Sequence, residues 1–215
     1  MPRKRKAVEP PQTRDPVRTR AAILAAAREL LAREGRDALN VRNVAELAGV
    51  NRGTAYLHFA SREELTLATL EDVSRQLSQI AFLTIVDDEA PHPEEWLGKA
   101  DELARFAMEN PTLGQIWLNY ILSSDRVKSD PFWLKWMDAT RAIVESRHAR
   151  PGIDAEVLAV MLLSSYFVWP TWAQAHYPRS ADRPTLAQRL SKEVIRLISN
   201  GVLGAGATEK PSRRR

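Results

Sequence analysis

The sequence predicts an all-α chain of about nine helices, an N-terminal helix-turn-helix three-helix module followed by a larger helical body. Three observations carry this. Apolar residues recur at three- and four-residue spacing along most of the chain, and no stretch alternates as a half-buried strand does. Helix-opening residues, Asp15, Asn40, Asn51, Ser61, Asp130 and Asp154, stand ahead of those segments. Finally, AELAGVNRGTAYLHF (45–59) holds two very short helical pieces that meet at Gly49, which is too short for a core pair and fits a tight turn.

Taken in order, Asp15-Pro16 opens the first helix, with an N-cap followed by proline where a missing N–H removes no helical bond. Ile23, Leu24, Ala27, Leu30 and Leu31 form its apolar face, and Gly35 closes it. Asn40 caps a second helix carrying Val41, Val44, Leu47 and Ala48, and Asn51 caps a third that runs to about Phe59. Ser61-Arg-Glu-Glu64 is a capping box for a fourth, with Leu65, Ala68, Val73, Leu77 and Ile80 as buried positions. The run VDDEAPHP then breaks the pattern and places a boundary near residue 85.

Beyond it, a helix over about 93–109 carries Leu97, Ala100, Leu103, Ala104 and Ala107. Asn110-Pro111 starts the next, with Ile116, Trp117, Tyr120 and Ile121, and Asp130-Pro131 another, with Trp133, Trp136, Met137, Thr140 and Val144. Asp154 caps a long apolar helix through Met161, Leu162, Tyr166, Phe167 and Trp169. Pro170 is expected to bend it, because the ring removes a donor and crowds the preceding turn. The last helix spans about Pro184 to Asn200 and stops at Gly201. The expected layout is a basic disordered arm (1–14), the helix-turn-helix domain (15–62), a connecting helix (63–84), a ligand-binding and dimerisation body (85–203) and a basic disordered tail (204–215).

Composition narrows the function. The absence of cysteine removes disulfides, thiolate metal sites and cysteine nucleophiles. The histidines, His58, His92, His148 and His176, lack metal-ligand spacing, and there is no GxSxG element or phosphate-binding glycine loop. No enzyme activity, metal or cofactor is therefore expected. No apolar run reaches the ~18 residues of a membrane span, and no apolar segment follows the N-terminal charges as in a secretory signal, so a cytoplasmic protein is expected. Charge is unevenly spread. Residues 1–62 hold 13 Lys/Arg and 6 Asp/Glu, a net +7, whereas the remaining 153 hold 18 and 21, a net −3. A basic end on a mildly acidic body suits a polyanion-binding module. Arg3 to Lys6 fit either a minor-groove arm or a mobile tail.

The short helical pair explains its own composition. Gly49 takes the left-handed conformation that ends the first piece, Val50 plugs the angle, and Ala55 and Phe59 face inward. The outer face keeps Arg52, Gly53, Thr54, Tyr56 and His58, hydrogen-bonding groups suited to phosphates and base edges, with a glycine where the backbone must approach closely. AELAGVNRGTAYLHFASREEL, preceded by TRAAILAAARELLAREG, resembles the DNA-binding domain of the TetR family of bacterial transcriptional regulators over roughly residues 17–75. The resemblance rests on the Ala-Gly-Val turn, the Tyr-x-His-Phe element and the Ser-Arg-Glu-Glu helix start occurring together at the family's separations. It implies DNA contacts by Arg42, Asn51, Arg52, Gly53, Thr54, Tyr56, His58 and Arg62, the last standing where a lysine is usual. Tyr56 could instead pack its ring, His58 could cap its own helix and Arg42 could be a solvated first-turn residue. Leu57 departs from the family pattern and has two readings, a thymine methyl contact or simple packing.

The resemblance further implies a homodimer formed through the last two helices, 154–177 and 184–200, with Leu186, Leu190, Val194 and Leu197 at the interface. The competing reading for these leucines is a face buried within the monomer. It also implies a ligand pocket in the body. All six tryptophans lie there, and Phe106, Trp117, Tyr120, Trp133, Trp136, Met137 and Trp169 are the candidate lining, with core packing as the alternative. The resulting expectation is a repressor that binds a pseudo-palindromic double-stranded DNA operator and is released by a small apolar or aromatic effector. Alternatives are an activator or ligand-independent regulator of the same fold, and a helical adaptor.

Overall fold

The computed structural model describes residues 15–81, 93–123 and 125–204. Among them run the helices α1 (Pro16–Glu34), α2 (Val41–Leu47), α3 (Arg52–His58), α4 (Arg62–Ala81), α5 (Pro93–Glu109), α6 (Pro111–Leu122), α7 (Pro131–Glu145), α8 (Ala155–His176) and α9 (Arg183–Leu197). No strand occurs among these residues, and one isolated antiparallel bridge pairs Ala149 with Leu203. The basic arm with Arg3 to Lys6, the breaking run through His92 and the tail beyond Gly204 lie outside the described residues. The chain divides into two compact units between Thr69 and Leu70, inside α4 rather than at residue 62 or 85.

The first unit is held by local bonds that its sequence spells out. Asp15 accepts from the Val17 N–H at 2.9 Å, and Asn40 accepts from the Asn43 N–H at 2.8 Å. Gly49, at φ +63°, closes α2 as a Schellman turn, in which the Val50 N–H reaches Ala45 O at 2.9 Å and the Gly49 N–H reaches Glu46 O at 3.2 Å. At the start of α4 the Glu64 N–H donates to Ser61 Oγ at 3.1 Å, and the Glu64 carboxylate reaches back to the Ala60 N–H at 2.8 Å. Ile23, Ala27, Leu39, Val44, Ala55, Phe59 and Leu65 form the core. Leu47 is exposed, contrary to its expected place on the apolar face. It sits about 60° past Val44 around a two-turn helix, where the inward arc is already filled by Val41, Val44 and Ala45.

In the second unit, α6, α7 and α8 enclose an aromatic centre. Trp117 meets Phe132 edge-on at 4.9 Å and Phe167 at 5.5 Å, and Trp136 meets Tyr166 edge-on at 6.2 Å. Helix α9 packs along α5, and Ser191 on α9 donates to the Asp101 carboxylate on α5. Burial, with the Asp101 carboxylate nearby, pushes the Tyr166 phenol well above its ordinary pKa. A latch closes the end of the chain. The Arg150 N–H donates to Val202 O at 2.8 Å, the Gly204 N–H to His148 O at 2.7 Å, and Arg150 Nε to Leu203 O at 3.0 Å.

Two expectations about this unit are corrected. Helix α9 ends at Leu197 and continues as a π turn over Ile198–Val202, in which Ile198 and Val202 are buried while Leu197 is exposed. Helix α8, with Pro170 buried within it, is the second. It is long and apolar enough to pass as a membrane span, over Ala155–His176, because its Ser, Thr and Gln residues dilute the apolar pattern without adding charge.

Candidate nucleic-acid interface

Helix α3 is seven residues long and exposes most of what it does not bury. Ala55 and the following Phe59 anchor it inward, and Arg20 of α1 lies with its guanidinium 5.2 Å from the centre of the Phe59 ring. The outer surface is left to Arg52, Gly53, Tyr56 and Leu57, with Thr54 and His58 half-buried at its edges. Arg42, in the first turn of α2, is exposed too. These positions belong to one compact unit and carry guanidinium, phenol, hydroxyl and imidazole groups, which suit phosphate oxygens and the acceptors of guanine.

Two of the candidate side chains already have work to do. The Asn51 carboxamide oxygen accepts from the Gly53 N–H at 2.8 Å, so capping α3 leaves its NH2 end for any other contact. A Cβ on Gly53 would stand 3.3 Å from that same oxygen, tight enough to disturb the cap. Arg62 reaches the exposed Asp37 carboxylate at 3.5 Å, a pair that a phosphate would have to exchange. The competing reading of His58 as a cap of its own helix finds no such bond. The helix-ending N–H of Phe59 goes to Ala55 O, and the imidazole lies tilted 6.4 Å from the Phe59 ring.

The family model for bacterial regulatory proteins of the tetR family matches residues 23–69, the stretch that builds this unit. Residues 23–69 belong to the TetR family. Relatives of the chain include the HTH-type transcriptional repressor AcnR of Corynebacterium diphtheriae, 30% identical over 107 residues, which are 47% of this chain and 56% of that protein. The chain thus spans just over half of that relative's length. The HTH-type transcriptional repressor KstR2 of Mycobacterium tuberculosis is 24% identical over 204 residues, 87% of this chain and 94% of that one. A solved SmeT–triclosan complex superposes with a TM-score of 0.60 at 20% identity, covering 92% of this chain and 98% of SmeT, which establishes a shared fold.

In the second unit the candidate pocket residues part company. Trp117 is 1% exposed and donates its indole N–H to Asp130 Oδ1, while Trp136 donates to Ala159 O at 3.0 Å, so both behave as core. Trp133 and Met137 are buried as well, and Phe106, Tyr120 and Trp169 are half-buried. Trp169 differs in that its buried Nε1 has no hydrogen-bond partner among the described residues; its ring stacks on Trp172 at 5.4 Å and lies 5.3 Å from the Arg189 guanidinium. The side chain of Trp96 lies outside the described residues.

The expected interface leucines are corrected in part. Leu186, Leu190 and Val194 are buried in the monomer's own core, where α9 packs on α5, and only Leu197 points outward, at 63% exposure. The outward apolar surface lies on α8. Val157, Val160, Met161, Val168 and Trp172 are exposed and share one face, opposite the buried Ala159, Leu163, Tyr166, Pro170 and Ala173. Periodicity had no means of finding this face, because α8 is apolar on both sides.

Proposed function

We propose that the chain is a cytoplasmic transcriptional repressor that binds a pseudo-palindromic operator as a homodimer and leaves it when a small apolar or aromatic effector enters the body. The observation that carries the dimer is the outer face of α8. Only 28% of its apolar window is buried within the chain, and the uncovered residues form a stripe rather than a scatter. A second copy brings the same stripe across a two-fold axis, which makes it self-complementary. Two heads held at a fixed separation then read two half-sites, where one short helix reads too few bases.

The assignment of DNA contacts to Arg42, Asn51, Arg52, Gly53, Thr54, Tyr56, His58 and Arg62 is supported by their shared unit and exposure. The names of AcnR and KstR2 as repressors support the sign of regulation. Phe106, Tyr120 and Trp169 are the lining residues best supported by their partial exposure, with Trp169 Nε1 as a donor for an effector oxygen. That SmeT forms a complex with triclosan supports an apolar, aromatic class of effector. The effector acts through its differential affinity for the bound and released states, about 1–3 kcal/mol of coupling.

Sedimentation of the wild type against Met161→Lys/Val168→Lys, joined to footprinting on a duplex selected from random DNA, tests this. A wild-type dimer with a symmetric footprint and a monomeric, non-footprinting variant are expected. The footprint should fade as uncharged aromatic compounds are added. A wild type that stays monomeric and ignores every duplex at low salt would overturn the reading.

A further inference from the structure

We infer that Leu57 is a base-reading residue, recognising the C5-methyl group of one thymine in each half-site. The inference rests on the reading of α3 as the helix that meets DNA. Its starting point is that Leu57 does not pack. It is 88% exposed, although it lies on a helix whose neighbouring turns are fixed by buried Ala55 and Phe59. One of the two readings open to the sequence is thereby removed.

The surroundings of Leu57 are specific. A helical side chain leans toward the N-terminus, over the residue four positions earlier. For Leu57 that residue is Gly53, which has no side chain to shield it. The result is an isobutyl group standing clear on the solvent side of α3, with exposed Gly53 and Tyr56 as its neighbours around the helix. Every other chemical feature of the major-groove edge is a hydrogen-bond donor or acceptor, and the thymine methyl is the apolar one. Burying an aliphatic group against it removes apolar surface from water on both sides.

The test replaces single thymines by deoxyuridine in a selected operator, which removes the methyl group and leaves the base pair intact. Wild-type protein should lose roughly four- to fifteenfold in affinity at one position per half-site, the scale of one to two buried methylene equivalents. Leu57→Ala should lose the same factor on the unmodified operator and become indifferent to deoxyuridine there. Leu57→Met should keep most of the wild-type response. Both variants should keep the wild-type melting temperature and salt dependence, since the side chain is exposed and uncharged. A wild type that binds its operator but tolerates every deoxyuridine replacement overturns the inference. So does a Leu57→Ala protein with the wild-type pattern of methyl sensitivity. A wild type that binds no duplex would overturn the DNA-binding reading itself, a different and separately visible result.

Discussion

Trp117 on α6 donates its indole N–H to Asp130 Oδ1 at 3.1 Å, and that oxygen also accepts the N–H groups of Phe132 at 3.0 Å and Trp133 at 2.9 Å. One buried carboxylate oxygen therefore caps α7 and ties α6 to it. Replacing Asp130 by alanine removes the cap and strands the Trp117 and Trp133 donors, while the Phe132 N–H keeps Ser74 Oγ at 3.3 Å. A loss of about 2–4 kcal/mol is expected, combining the cap and unsatisfied-donor costs. Trp117→Phe, which removes only one donor, should leave the α7 cap in place and differ from the alanine variant by more than its own packing loss. Urea unfolding of both variants checks the ordering.

Gly114 on α6 faces Phe167 on α8 so closely that a Cβ would stand 2.8 Å from Phe167 Cδ1. Gly114→Ala should destabilise the body by about 1–3 kcal/mol despite the better helix propensity of alanine. Phe167→Leu, which withdraws the obstructing ring edge, should recover part of that loss in the double variant. A thermal-unfolding double-mutant cycle reads the coupling.

The latch between residues 148–150 and 202–204 predicts where the chain can be shortened. A chain ending at Gly204 retains every bond of the latch and is the reference for shorter ones. A chain ending at Leu197 loses the Arg150 and Gly204 backbone bonds and the buried Val202 and Leu203, and should melt lower. Leu203→Ala alone, at a position 1% exposed, should cost about 2–5 kcal/mol. Calorimetry of the three proteins is sufficient.

Tyr166 predicts an alkaline effect. Its phenol is pushed up by burial and by the nearby Asp101 carboxylate, so the folded state holds the proton after the unfolded chain has released it. The stability it contributes is present below the unfolded value of about 10 and falls as pH rises beyond that. Between pH 8 and 11 the urea midpoint of the wild type should therefore drop more than that of Tyr166→Phe. Equal drops would show that the phenol titrates as it does in water.

Much of the first unit was legible because its determinants are short in range. Asp15, Asn40, Asn51 and the Ser61–Glu64 box act on N–H groups within four residues, and Gly49 acts on the carbonyls just behind it. The exposure of Leu57 was not legible, since an apolar side chain on a short helix can pack or project with the same spacing. Nor was the Asp37 partner of Arg62, which comes from 25 residues away.

The same distinction holds for the whole chain. The sequence by itself determined the helices, most of their ends and the turn at Gly49, because capping, backbone φ and apolar spacing are properties of neighbouring residues. The tertiary structure alone decided which apolar faces are covered. It put Leu186, Leu190 and Val194 inside against α5, left the stripe from Val157 to Trp172 outside, and left Trp169 without an acceptor while Trp117 found Asp130. Burial depends on which distant helix arrives, and an apolar side chain carries no record of that in its own segment.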